Sequence, residues 1–191
     1  MRNLLLAFAS AAALTVASPA LAQTPAPAAA VQAEVSDARL EAFNAAMVKV
    51  RAVSEAIQGA TPTAGQQAEM AAAISASGLG IEQFNAISTQ VSSDAVLQAR
   101  LAVVAAPASP AGSVAAAVTD EEVTKFSAAM VKMRTLVPTD GAAPSAEQQT
   151  AMAAAVTESG LSPERFNAIS TAVSTDERLQ ARVELADARR G

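Results

Sequence analysis

Apolar residues recur at helical spacing along this chain, and the recurrence is written twice. After the cap-like pair Ser36-Asp37, Leu40, Phe43, Met47, Val50 and Ile57 predict a helix of about five turns or more. Gly59 to Gly65, with Pro62, break it. Met70, Ala73 and Ile74 form the inward side of a second helix, over about residues 66–77. Phe84, Ile87 and Val91 make the buried stripe of a third. Ser92-Ser93-Asp94 then reads as a cap for a short helix bearing Leu97 and Leu101, although the last two helices could also run on as one. No strand-like alternation persists anywhere, so the fold class is all-α.

The same order returns after Thr119-Asp120. Val123, Phe126, Met130 and Met133 lie on a first helix, Gly141 and Pro144 mark the break, and Gln148 to Ser159 match the second helix. Gly78-Leu79 and Phe84-Asn85-Ala86-Ile87-Ser88-Thr89 reappear as Gly160-Leu161 and Phe166-Asn167-Ala168-Ile169-Ser170-Thr171. Each glycine follows an apolar run, where a left-handed residue ends a helix without a Cβ penalty. Leu79 should then pack on Ile74, and Leu161 on Val156. Ser162 can cap the next helix, with Pro163 at its first position and Glu164 in its first turn; Gly80 and Gln83 are a weaker version. In Ser174-Thr175-Asp176-Glu177, Ser174 and Glu177 have the spacing of a capping box.

These signals divide the chain. Residues 1–22 read as a signal peptide: Arg2, an apolar run from Leu4 to Val16, and the cleavage pattern Ala20-Leu21-Ala22. That run falls short of the roughly 20 residues a spanning helix needs. Cleavage after Ala22 would leave no transmembrane segment and a periplasmic or secreted protein. Residues 23–35 read as a disordered Ala/Pro leader, 36–101 as helical repeat unit 1, and 102–118 as an Ala/Pro/Ser/Gly linker. Residues 119–183 form repeat unit 2, and 184–191 a charged tail expected to fray. The architecture is two tandem copies of a three- to four-helix unit, stacked into one bundle or strung as independent beads.

Composition narrows the function. The net charge of −5 becomes −6 once Arg2 leaves with the signal peptide, and no basic patch stands out, which disfavours nucleic-acid binding. The chain has no His and no Cys. Disulfides are therefore excluded, zinc and other cofactors are not expected, and the usual nucleophile–base pairs are missing. Asp120-Glu121-Glu122 and Asp176-Glu177 could in principle serve as carboxylate pairs, but they stand at predicted helix starts, where acids favour the dipole. Met47, Met70, Met130, Met133 and Met152 could hold a soft cuprous ion, yet they lie on apolar stripes as core fillers. Lys49 and Lys132, beside those stripes, are expected to be exposed. The polar residues common to both copies are the candidate interaction face: Asn85, Asp94, Gln98, Arg100, Asn167, Asp176, Gln180 and Arg182. Helix-surface pairing after a duplication explains the same set more plainly.

The pattern Gly-Leu, Glu82-Gln83-Phe84-Asn85-Ala86-Ile87, Asp94 and Leu97-Gln98-Ala99-Arg100 resembles domain of unknown function 4168, a family of small exported bacterial proteins. The resemblance covers Ser36 to Leu101 and again Thr119 to Val183. It implies a helical exported domain and supplies no catalytic or ligand residues. The expected role is non-enzymatic, in interaction or structure within the cell envelope. The alternative is a binding module for a small apolar or amphiphilic ligand between Ala- and Met-lined helices. An unidentified envelope protein or such a ligand is the expected partner.

Overall fold

A computed structural model describes residues 35–57, 61–138 and 143–191 of the chain. The expected signal peptide, the expected leader before Val35, and the predicted helix breakers Gly59 and Gly141 lie outside the described residues. Among the described residues there are nine α-helices and no strand, as the hydrophobic spacing predicts. Copy one supplies α1 (Asp37–Ile57), α2 (Ala64–Ala76), α3 (Ile81–Ser93) and α4 (Ala95–Ala105). A single turn, α5 (Val114–Ala117), precedes copy two, which supplies α6 (Asp120–Leu136), α7 (Ala146–Glu158), α8 (Pro163–Val173) and α9 (Glu177–Ala188).

Local chemistry sets the ends of these helices. Gly78 and Gly160 have φ of +82° and +79°, so the chain turns out of α2 and α7 through a conformation that glycine adopts freely. Leu79 and Leu161, next along, are buried in the same clusters as Ile74 and Val156. Ser162 Oγ accepts from the Arg165 N–H, with Pro163 opening α8. The Gly80 N–H instead donates to Gln83 Oε1 at 3.2 Å. The third and fourth helices of each copy are separate. Asp94 breaks the first pair in extended backbone (φ −116°, ψ 110°), and Asp176 caps α9 in nearly the same conformation. Ser174 is not the cap that its spacing to Glu177 suggests. It closes α8, its hydroxyl donating to the Thr171 carbonyl, while Asp176 accepts from the Leu179 N–H. A carboxylate one residue from the helix outcompetes a hydroxyl three residues away.

Each copy builds its own core. Leu40, Phe43, Ile74, Phe84, Ile87 and Leu97 pack in copy one. Val123, Phe126, Val156, Phe166, Ile169 and Leu179 pack in copy two. An aromatic pair sits in each: Phe43–Phe84 with ring centroids 4.9 Å apart, and Phe126–Phe166 at 4.8 Å, both tilted by 36°. Within copy one, α1 packs on α2 and α4; within copy two, α6 packs on α7 and α9. Both copies lie in one compact unit, Glu34–Gly191, and among the described residues the most extensive interhelical contact joins α4 to α9.

That contact explains why α4 is apolar almost all round. Leu97, Leu101 and Val104 serve copy one's core. Val96, Ala99 and Val103 fall on another side of the helix and are half-buried as well. The linker and leader boundaries move for a related reason. Helix α4 runs on to Ala105, and in α5 Ala115, with Val118 beyond it, is buried in copy two's core. Val35 is buried in copy one's core and occupies the position of Val118, one residue before the Ser/Thr-Asp pair. The valine is thus the first residue of each unit. The tail does not fray at Glu184: α9 continues to Ala188, and Arg190 binds back to α6 through the Thr124 carbonyl and Ser127.

Candidate functional site

The repeated polar residues have separate partners. Asp94 Oδ1 accepts from the backbone N–H groups of Val96 (2.8 Å) and Leu97 (3.1 Å). Asp176 Oδ1 accepts from the Leu179 N–H at 2.7 Å and from the Ser109 hydroxyl at 2.9 Å, tying the linker to α9. Arg100 grips Asp37 through Nε and Nη2, the latter at 2.6 Å. Arg182 Nη2 reaches Asp120 Oδ1 at 2.6 Å and the Val118 carbonyl at 2.8 Å. Each arginine therefore fastens the fourth helix of its copy to the start of the first. Gln98 donates to the Ser92 carbonyl, and Gln180 to Glu184. Asn85 and Asn167 are exposed on α3 and α8. Six of these eight positions thus have a local structural use.

The acidic run at the start of α6 is absorbed in the same way. Thr119 and Glu122 form a reciprocal capping box. Arg165 clamps Glu122 with two hydrogen bonds, 2.7 and 2.8 Å long. The Arg165 guanidinium, helped by the Thr119 N–H, lowers the Glu122 carboxyl from 4.5 to about 2, and the pairing raises Arg165. Glu121 pairs with Lys125 at 2.7 Å. Lys132 is exposed and reaches Glu158 at 3.1 Å; Lys49 is exposed too. Met47, Met130 and Met133 pack against the two cores, as fillers do.

Sequence reasoning missed two features. One is the fully buried Ser127, whose hydroxyl donates to Asp187 and accepts from Arg190. The three residues close α9 against α6, and a lone serine within a helical stripe gave no sign of it. The other is an open groove of about 470 Å³ where copy two faces the end of α4. Its polar lining includes Asp37, Asp120, Arg178, Arg182 and Arg189, so it is not a cavity walled by alanine and methionine. Among the described residues, no three carboxylates converge to hold a metal ion, and no helix is long and apolar enough to cross a membrane.

Residues 137–183 match the family described as Domain of unknown function (DUF4168). The matched segment covers α7, α8 and the first half of α9, one copy only. No curated protein and no solved structure matches the chain.

Proposed function

We propose that this chain is an exported, non-enzymatic helical protein with an interaction or structural role in the bacterial cell envelope. One observation carries the non-enzymatic part: the charged side chains best placed for chemistry are committed to the fold. Asp94 and Asp176 cap helices, Arg100 and Arg182 clasp them, and Glu122 is held as an anion by Arg165. A carboxyl lowered to about 2 is a poor general acid or base near neutral pH, where catalysis favours a raised value. The signal-like pattern of residues 1–22, and the resemblance of both copies to an exported family, support the location.

The location is tested by intact-mass measurement of protein from the native cell envelope. The expected chain begins at Gln23; a chain retaining Met1 there would overturn export with cleavage. The role is tested by affinity capture from envelope extract, with mass spectrometry of proteins and lipids. A partner recovered in near-equal amount, and lost on mutation of an exposed face, is the expected result. Turnover of a substrate by the purified chain would defeat the proposal.

A further inference from the structure

We propose that the groove at the junction of the two copies binds a small carboxylate amphiphile, a free anion with a short apolar body. This goes beyond the envelope role and does not depend on it. The groove's charges are unevenly satisfied. Asp37 is held by Arg100, and Asp120 by Arg182. Arg178 and Arg189 line the same space, and their guanidinium groups make no hydrogen bond or ion pair within the described residues. The groove thus presents two unspent guanidinium groups in a chain whose net charge is −5.

Stability does not explain Arg178. It is the second residue of α9, where a cation opposes the positive end of the helix dipole, and it is half-buried. Nor does the repeat explain either arginine. Eighty-two residues earlier, the spacing that relates Gly78 to Gly160, stand Val96 and Pro107. The copies agree at the clasp arginines Arg100 and Arg182 and differ at the two arginines that line the groove.

The remaining lining sets the ligand class. Val103, Ala115, Val123, Leu185 and Ala186 make the apolar part of the lining, and Ser109 and Thr124 add hydroxyl-bearing side chains. Arg178 and Arg189 are separated by about 16 Å along the helix axis, so one anionic head meets one guanidinium while the body lies over the apolar strip. Arginine recognises planar carboxylates by paired hydrogen bonds. A volume of about 470 Å³ suits one small molecule rather than a bilayer surface.

The probe is sodium decanoate below its micelle concentration, titrated calorimetrically into the full mature chain. Saturable binding is expected, with decanol at least about tenfold weaker because it lacks the charge. Arg178→Gln with Arg189→Gln should weaken decanoate binding at least about tenfold while leaving the melting temperature unchanged, since neither side chain holds the fold. Methyl resonances of Val123 and Leu185 should shift on titration. Absence of binding, equal binding by the double variant or by decanol, or shifts confined to other helices would each overturn the proposal. So would binding to phosphatidylglycerol vesicles without binding of free decanoate, which would assign the anion site to a membrane surface.

Discussion

Copy one and copy two share a template but are fastened differently. The aromatic pairs are superposable in distance and tilt, and the left-handed glycines differ by only 3° in φ. The polar fastenings are shared only in part. Copy one has the Asp37–Arg100 clasp. Copy two has its counterpart, Asp120–Arg182, and adds Glu122–Arg165, Lys132–Glu158 and the Ser127–Asp187–Arg190 cluster. The positions of Glu122, Arg165, Ser127 and Asp187 are held in copy one by Arg39, Gln83, Asn44 and Ala105. The apolar pattern specifies the unit, and the polar residues then tune each copy independently. Copy two should be the more stable half, and the copy more sensitive to acid.

The largest test of that comparison removes the shared part. Phe84→Ala and Phe166→Ala should each cost about 3–5 kcal/mol, because each ring is packed against its partner in a closed core. Since α4 and α9 join the cores, calorimetry of either variant should give one transition at a lower temperature. Two transitions, with the untouched copy melting as before, would show that the α4–α9 contact does not couple them.

Asp187→Ala attacks a fastening that copy one lacks. It leaves the buried Ser127 hydroxyl without its acceptor and should cost about 1–3 kcal/mol in denaturant melts. Hydrogen exchange should speed up in α9 and α6 before α1. Uniform loosening of both copies would mean that the cluster stabilises the copy–copy contact instead.

Glu122→Gln reads the pH dependence. Glu122 is lowered from 4.5 to about 2, so its stabilisation is complete above 4.5 and disappears as pH falls through about 2. The pair is about a quarter exposed, which solvent screening discounts, so the variant should lose only about 1–2 kcal/mol at pH 7. Parent and variant should converge near pH 2. A difference that persists unchanged at that pH would show that packing, rather than charge, underlies the effect.

The smallest effect is also the most symmetrical. Gly78→Ala and Gly160→Ala should each cost about 1 kcal/mol, from the left-handed backbone alone. A Cβ at Gly78 meets nothing within 4 Å, and at Gly160 only the Lys125 side chain at 3.7 Å. Thermal melts showing one substitution neutral and the other costly would break the equivalence of the two turns.

The glycines and the phenylalanine stripes are readable because each signal is complete within a few residues, whereas the Ser174–Glu177 spacing points to the wrong cap for α9. Periodicity locates Leu97 for the same reason as the glycines and stripes. The linker hides a helical turn because four residues of mostly alanine carry little helical signal of their own; α5 is held by burial of Ala115, with the neighbouring Val118 buried too. The valine repeated before Ser36 and Thr119 was the available clue. Long-range pairs left no comparable trace. Arg165 and Glu122 are 43 residues apart, and Ser127 and Arg190 are 63 apart. The groove arginines are legible only once α4 has been set beside α9.

Placing both copies on one chain changes what their contact must achieve. The α4–α9 seam draws on side chains as small as Ala99 and Val103, with eight residues, Ala106 to Ser113, between α4 and α5. Two separate polypeptides meeting through such a seam would depend on their concentration in solution. A short tether instead presents each half to the other at an effective concentration of roughly millimolar. The seam can therefore be built from small side chains and still stay closed, and those side chains are free to diverge. Tethering turns an association that dilution would dissolve into a fixed property of the molecule.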